Sequence, residues 1–446
     1  MKMKQLILLS IFCLLVAMHT SAQDTIVTMT TSKNSVNINV GWTGTGSITA
    51  NGVELKNNFN TKNIIPVEAD SSVVLITTGD IQLTHLGCWG NFLRTLGITN
   101  CPVLMALYCQ SNSLTNLNVT NCPKLTALWC SDNYISVLDL TNCPELVWIN
   151  CRNNPLSFLN VTNCPKMTAL WCEDNPISDL DVTNCPELTE LKCNHNYLTV
   201  LDVTHCPKLI NLYCYSNYLS VLDVTNCPEL EVLECGHNTL TAMDVTNCSE
   251  LQRLDCRSNS LTALDVTNCQ KLTGLWCEGN SISALDVTRC PELSALSCLN
   301  NSLSALDVTK CPKLTLLDCG GNFLSVLDVT NCSELGLLSC PNNFLSALDV
   351  TNCPKLWPFY ANDQTIVLPT ARTKRAKLHI ENPVTYAGDE VQIDGISHRG
   401  THTDNIVVWK VSGKSDEVTF NFSAKLLKGG FGQPFSGTIT QPWSKK

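Results

Sequence analysis

Cysteine is the most reactive residue type that recurs at fixed spacing in this chain. Of its 27 cysteines, all except Cys13 fall into two columns of 13, at intervals of 21 residues, from Cys88 to Cys340 and from Cys101 to Cys353. Such cysteines could form disulfides, bind a metal or fill a core. An odd column cannot pair completely, and the intervals of 8 or 13 residues between columns match no Cys-x-x-Cys metal motif. We predict buried free thiols and no metal site, with disulfides as the main alternative.

The cysteines belong to a repeat that runs from residue 83 to residue 355 as 13 consecutive units of 21 residues. In the unit at residues 125–145, Leu128-Trp129-Cys130 and residues 138–141 alternate apolar and polar, which predicts two short strands. An Asn three residues after the first cysteine, Asn133 in this unit, recurs in every unit and can bond backbone groups along a stack. No unit can bury its apolar side alone. We therefore predict a β-rich solenoid whose stacked units form parallel β-sheets, flanked by small β domains.

The pattern L-x-x-L-x-C-x-x-N-x-L is that of a leucine-rich repeat with cysteine at the third strand leucine. It resembles the cysteine-bearing repeats of the internalin family of bacterial surface adhesins, and those of similar secreted proteins of Bacteroidetes, over about 273 of 446 residues. The chain departs from that family at the second cysteine, in T-N-C-P. The resemblance implies a leucine-rich-repeat stack whose first strands form a concave face. It also implies adhesin-like binding of a protein or glycoprotein, such as a host-surface or mucin-type molecule.

The two ends of the chain differ from the repeats. Residues 1–22 combine a basic start, an apolar run and a small-residue cleavage site, which predicts a signal peptide and a secreted or extracellular cell-surface protein beginning at Gln23. We expect residues 23–82 to form an N-terminal β cap and residues 356–369 a degenerate repeat or linker. Residues 370–446 predict a C-terminal β domain, for which an immunoglobulin-like fold is one option. No later stretch approaches 18 unbroken apolar residues, so no transmembrane segment is expected in the mature chain.

Composition and motifs argue against several classes of function. The formal net charge of −10 argues against a nucleic-acid partner, because neutralising phosphates requires basic patches. The chain has no G-x-S-x-G, H-E-x-x-H, P-loop or EF-hand pattern, and no pair of carboxylates stands out for acid/base work. We predict a non-catalytic protein without a cofactor, expected to be a monomer.

Aromatic residues concentrate on the outward positions of the first strand in each unit. Exposed Trp and Tyr on a rigid sheet provide a large contact area at low entropic cost, which favours a binding face. The predicted ligand-binding residues are Tyr108, Trp129, Trp148, Arg152, Trp171, Glu173, Asp174, Lys192, Tyr213, Tyr215 and Trp276. Rings that only stabilise the sheet by cross-strand packing are the simpler alternative. For the whole protein, the alternatives are a structural cell-envelope spacer or scaffold without a specific ligand, and a glycan-binding module.

Overall fold

A computed structural model describes most of the chain after residue 25. The described residues are 26–68, 71–77, 80–99, 101–356, 359–367, 371–373, 377–381, 385–386, 391–394, 401–403, 406–410, 415–424, 432–433 and 436–445. The predicted signal peptide lies outside them. They form 32 β-strands, and they include no helix that is long and apolar enough to cross a membrane. The chain divides after Lys208 into two compact units, which are described separately.

The first unit starts with antiparallel strands and continues as a parallel ladder. Its strands are β1 (Ile26–Thr31), β2 (Ser35–Thr43), β3 (Ile48–Ala50), β4 (Val53–Glu54), β5 (Asn63–Pro66), β6 (Ser72–Thr77), β7 (Gln82–Gly87), β8 (Leu93–Thr99), β9 (Ala106–Tyr108), β10 (Ala127–Trp129), β11 (Trp148–Asn150), β12 (Ala169–Trp171) and β13 (Glu190–Lys192). One antiparallel sheet has the order β4-β3-β6-β1-β8. β2 pairs antiparallel with β5 and β7, and β7 also pairs parallel with β9, where the ladder starts.

The strands β9 to β13 contribute one three-residue rung for each 21-residue repeat, and they pair in register. Leu128 pairs with Leu107 and Ile149 in the neighbouring strands. Leu128 and Cys130 are fully buried, whereas Trp129 between them is partly exposed. This alternation is that of a half-buried strand, as the sequence predicts. The first unit is therefore a β-solenoid capped at its N-terminal end by the antiparallel strands.

The second unit repeats the ladder and then ends in mixed sheets. Its strands are β14 (Asn211–Tyr213), β15 (Val232–Glu234), β16 (Arg253–Asp255), β17 (Gly274–Trp276), β18 (Ala295–Ser297), β19 (Leu316–Asp318), β20 (Leu337–Ser339), β21 (Ala347–Leu348), β22 (Phe359–Tyr360), β23 (Gln364–Val367), β24 (Ala371–Thr373), β25 (Lys377–Glu381), β26 (Thr385–Tyr386), β27 (Val391–Asp394), β28 (Thr401–Thr403), β29 (Ile406–Lys410), β30 (Ser415–Ala424), β31 (Gly432–Gln433) and β32 (Ser436–Lys445). β14 to β20 are parallel and in register. β23, β32, β30 and β27 then form a sheet in that order, with β24 also paired to β32, and β25, β29 and β28 form another.

The sequence predicts a second strand in each 21-residue repeat. This strand is mostly absent, so the expectation is wrong. Within the described residues of the repeats, strands occur at this place only in the first repeat (β8) and the last (β21), and they pair with β1 and β26 rather than with a neighbouring repeat. In residues 138–141, the Asp139 carboxylate instead accepts hydrogen bonds from the backbone N–H (3.0 Å) and the hydroxyl (2.7 Å) of Thr141. This local turn satisfies a backbone donor that a strand would have offered to its neighbour. Asn118 and Asn160 form the same turn with the threonine two residues later.

The predicted asparagine ladder is present, and the cysteines fill the core. Asn133 Nδ2 donates to the carbonyls of Cys109 (3.0 Å) and Cys130 (3.1 Å), and its Oδ1 accepts the N–H of Leu114 (3.0 Å). Each amide therefore links its own turn to the preceding one. All 26 cysteines of the repeats are buried free thiols. Burial raises the pKa of the Cys130 thiol to about 12, because a thiolate is disfavoured in an apolar core.

Candidate functional site

The strand face is the outward side of β9 to β13 in the first unit. Its residues lie three and one positions before, and one position after, the first cysteine of each repeat. The backbone at these positions is fixed by the parallel ladder, and the buried leucines hold it from behind. The side chains on this face are consequently placed by the most regular part of the fold. A rigid support of this kind reduces the entropy lost when a partner binds.

Three tryptophans border a pocket on this face, which we call the indole pocket. It has a volume of about 390 Å³ and is lined by Trp129, Trp148, Ile149, Asn150, Thr168, Ala169, Trp171, Thr189 and Glu190. The ring centroids of Trp129 and Trp171 are 6.3 Å apart, although their strands are separated by β11. Trp148 is 53% exposed, and its Nε1 donates to the hydroxyl of Thr168 at 3.0 Å. The pocket falls in the size range of small-ligand or side-chain sites.

Lys192 and Glu190 form the charged end of the pocket. The Lys192 ammonium lies 4.1 Å from the centroid of the Trp171 ring and 3.0 Å from Glu190 Oε1. Both attractions, to a ring face and to a carboxylate, favour a cation at this place. Lys192 is among the predicted ligand-binding residues, and the sequence also places Glu190 at the rim of the aromatic patch. Thr168 was missed, because the residue at its repeat position varies too much to give a periodic signal.

Glu173 is a buried carboxylate beside the tryptophans. It is only 8% exposed, and within the described residues its Oε2 accepts no hydrogen bond. Burial raises the pKa of Glu173, while Lys192 and Arg152 act in the opposite direction and Asp174 adds to the rise. Arg152 pairs with Asp132 at 3.7 Å. Asp174 has a left-handed backbone (φ 56°) and so makes the bend after the strand.

Tyr108 joins the tryptophans to the N-terminal cap. Its ring is 5.5 Å from that of Trp129 in an edge-to-face arrangement and 5.3 Å from that of Phe59. Phe59 also lies 5.5 Å from the ring of His85. Phe59 was missed by the sequence reasoning because it belongs to a turn without any repeat. The aromatic cluster therefore extends from the cap into the indole pocket.

The remaining predicted residues, Tyr213, Tyr215 and Trp276, belong to the second unit. The Arg253 guanidinium lies 5.4 Å from the centroid of the Trp276 ring. Tyr215 borders a smaller pocket of about 200 Å³, whose other lining residues are Glu234, Gly236, His237, Asp255 and Arg257. Arg257 forms ion pairs with Asp255 (2.6 Å) and Glu278 (3.2 Å). Trp276 and Tyr215 thus sit among paired charges.

The side chains around the indole pocket and the smaller pocket offer aromatic and polar groups. The cysteines are the strongest nucleophiles in the repeats, and all of them are buried; burial raises the pKa of the Cys88 thiol, for example, to about 12. Among the described residues, no three His, Cys, Asp or Glu side chains are grouped to hold a metal ion. The available groups are ring faces, amides, hydroxyls and carboxylates. Groups of these kinds can bind and orient a ligand.

Several solved structures are similar to this chain. The functional domain of InlJ from Listeria monocytogenes, described as including a cysteine ladder, is 27% identical with a TM-score of 0.60, and the match covers 82% of this chain and 94% of that one. The fold is a leucine-rich repeat. An internalin, InlF, from Listeria monocytogenes is 24% identical with a TM-score of 0.55, over 61% of this chain and 84% of its own. The leucine-rich-repeat protein LIC12759 of Leptospira interrogans is 24% identical with a TM-score of 0.54, over 59% and 74%.

Two further comparisons concern sequence. The family model called LRR adjacent matches residues 388–444, within the segment that follows the repeats. Comparison with curated proteins gives no match. The structural neighbours are internalin-like leucine-rich-repeat proteins, and a fold of this kind suggests protein binding.

Proposed function

We propose that this is a secreted or cell-surface, non-catalytic binding protein that holds a protein or glycoprotein partner on the strand face of its first unit. The observation that carries the proposal is the indole pocket. Trp148, at 53% exposed, keeps much of its apolar surface in water. An exposed indole contributes little to folding, but it becomes a strong anchor when a partner covers it.

The geometry supports this function over simple stabilisation of the sheet. Rings that only stabilise a sheet pack against their direct cross-strand neighbours. Trp129 and Trp171 are two strands apart, and the residue between them on the ladder is the small, buried Asn150. Their ring centroids are nevertheless only 6.3 Å apart, so the two rings meet across the Asn150 position and, together with Trp148, border a pocket that a partner side chain can fill. A spacer without a specific ligand has no need of such a pocket.

The resemblance to internalins extends the proposal to an adhesin-like role with a host-surface or mucin-type partner. Export would be directed by residues 1–22. N-terminal sequencing of the chain recovered outside the producing cell tests this part, with a start at Gln23 as the expected result. A chain that keeps Met1 and stays inside the cell contradicts it.

The binding face is tested with matched tryptophan and control variants. The mature chain is immobilised, and binding of extracellular glycoproteins, including mucin-type preparations, is measured for the double variant Trp129→Ala/Trp171→Ala. The control is Tyr134→Ala/Phe158→Ala, which removes two aromatic residues that are 63% and 56% exposed away from the strand face. We expect the first double variant to lose binding and the second to retain it. Equal binding by both variants, with both folded, would refute the proposal.

A further inference from the structure

We infer that the indole pocket is a cation site, which takes the guanidinium or ammonium group of an arginine or lysine side chain presented by the partner. The inference rests on the proposed function and assigns the chemistry of the group that the strand face recognises. It follows from three features of the pocket: its ring faces, its carboxylate and the charge balance around it.

The walls of the pocket are those of a cation receptor. Trp129, Trp148 and Trp171 supply three indole rings, and the indole face is the strongest cation–π acceptor among the side chains. Glu190 supplies a carboxylate on the same lining. A guanidinium can stack on an indole and donate to a carboxylate at once. An anion at the Trp171 face, where the Lys192 ammonium lies, would be repelled by the negative face of the ring.

The chain already places a cation of its own against these walls. The Lys192 ammonium lies 4.1 Å from the Trp171 centroid and 3.0 Å from Glu190 Oε1. This arrangement is the contact that a partner's basic side chain would make. Lys192 therefore acts as an internal competitor for Glu190, and it is displaced or shares the carboxylate when a partner cation enters.

The charge balance around the pocket is also negative. Glu190 is the one charged residue among those that line the pocket in the described part of the chain. The nearby Glu173 carboxylate lies within the electrostatic reach of Lys192 and Arg152. Arg152 is paired with Asp132 and Lys192 with Glu190. Glu173, by contrast, is buried with one oxygen that accepts no hydrogen bond in the described residues. The local field therefore attracts a basic segment of a partner and repels an acidic one.

The test is a titration of the full chain, labelled with fluorotryptophan and followed by fluorine NMR. The probes are acetyl-arginine amide and acetyl-lysine amide, with the uncharged acetyl-citrulline amide and the anionic acetyl-glutamate amide as controls. Resonances of Trp129, Trp148 and Trp171 are assigned from single Trp→Phe variants. We expect saturable shifts of these resonances with the cationic amides only. The cation with the lower Kd identifies the residue type that the partner presents.

Three variants make the result specific. Glu190→Gln should weaken cation binding by about fivefold, because it removes a carboxylate partner while keeping the shape of the side chain. Glu187→Gln removes the same charge only three residues away in sequence but outside the pocket lining, where Glu187 pairs with Lys208, and should leave the Kd unchanged. Lys192→Met should tighten cation binding by about threefold, since it removes the internal competitor while keeping the length of the side chain.

Several outcomes would overturn the inference. These are equal shifts with the citrulline amide, preferential binding of the glutamate amide, equal effects of Glu190→Gln and Glu187→Gln, or weaker cation binding by Lys192→Met. The proposed function fails separately. If the cationic amides do not bind but Trp129→Ala/Trp171→Ala still abolishes capture of the partner, the strand face binds by another chemistry and only this inference is lost.

Discussion

The asparagine ladder provides a stability prediction that can be worked out atom by atom, using Asn133→Ala. Asn133 is 6% exposed, and its side chain makes four hydrogen bonds. The carbonyls that lose a bond keep another, since Cys109 still accepts from Asn112 (2.9 Å) and Cys130 from Asn154 (3.1 Å). The N–H of the buried Leu114 has Asn133 Oδ1 as its partner and loses it.

The loss of stability can be estimated because an N–H left without an acceptor costs more than a carbonyl that keeps another donor. A buried N–H left without an acceptor costs about 1 to 3 kcal/mol, whereas weakening carbonyls that keep another partner adds roughly 1 kcal/mol. Asn133→Ala should therefore lower the free energy of unfolding by about 2 to 4 kcal/mol. The matched control is Asn142→Ala, which removes an exposed Asn of the same repeat and should change stability by less than about 0.5 kcal/mol.

Two measurements together check the prediction. Urea unfolding gives the change in midpoint for the two variants, and hydrogen exchange gives the protection of the Leu114 amide. We expect Asn133→Ala to lose both stability and protection at Leu114, with neighbouring ladder amides less affected. If Asn133→Ala behaves like Asn142→Ala in both measurements, the asparagine does not hold the turns together and the reasoning is refuted.

Three other predictions concern the thiols, the turns and the surface charges. Burial raises the pKa of thiols such as Cys130 to about 12, so a thiol reagent at pH 8 should label none of the 26 repeat cysteines in the native chain. After denaturation without reductant, the reagent should label all 26. A count near zero in the denatured chain would show disulfides. Hydrogen bonds from the hydroxyl and the backbone N–H of Thr309 lower the pKa of the Asp307 carboxyl from its ordinary value of 3.8. The ionised carboxylate therefore stabilises the folded chain above pH 3.8, and this contribution is lost as the pH falls through the lowered pKa. Asp307→Asn should keep the turn, as the asparagine-based turns do, but flatten this acid loss in urea midpoints measured against pH; an unchanged acid profile would contradict the assignment. Lys166→Glu, opposite Glu145, should lower stability by at most about 1 kcal/mol because Lys166 is 56% exposed, and high salt should reduce the effect; a salt-independent loss would point to packing instead.

The repeats could be predicted in detail because their signals are periodic. The burial of Leu128 and Cys130 on either side of Trp129 follows from alternation alone. The asparagine ladder follows from its recurrence at one position together with the hydrogen-bonding capacity of an amide. Each of these features depends on contacts between identical positions of adjacent turns, and a repeating sequence displays those contacts directly.

The features that were missed depend on contacts without a period. The second strand of each 21-residue repeat was predicted from alternation. The Asp139 side chain instead accepts a hydrogen bond from the Thr141 N–H, and periodicity cannot reveal that a side chain competes with a neighbouring strand for this donor. Phe59 reaches Tyr108 from a cap turn that shares no pattern with the repeats. Thr168 became visible as a lining residue of the pocket, and as the acceptor of Trp148 Nε1, only once the neighbouring indoles were placed in space.

The central claim is that a partner binds on the strand face of the first unit. Hydroxyl-radical footprinting of the captured complex tests it most directly, with oxidation compared between the free and the bound chain. The account predicts that Trp148, together with Trp129 and Trp171, becomes protected on binding, while Tyr134 and Phe158 are oxidised as in the free chain. Protection of Tyr134 and Phe158 with unchanged oxidation of the three tryptophans would contradict it.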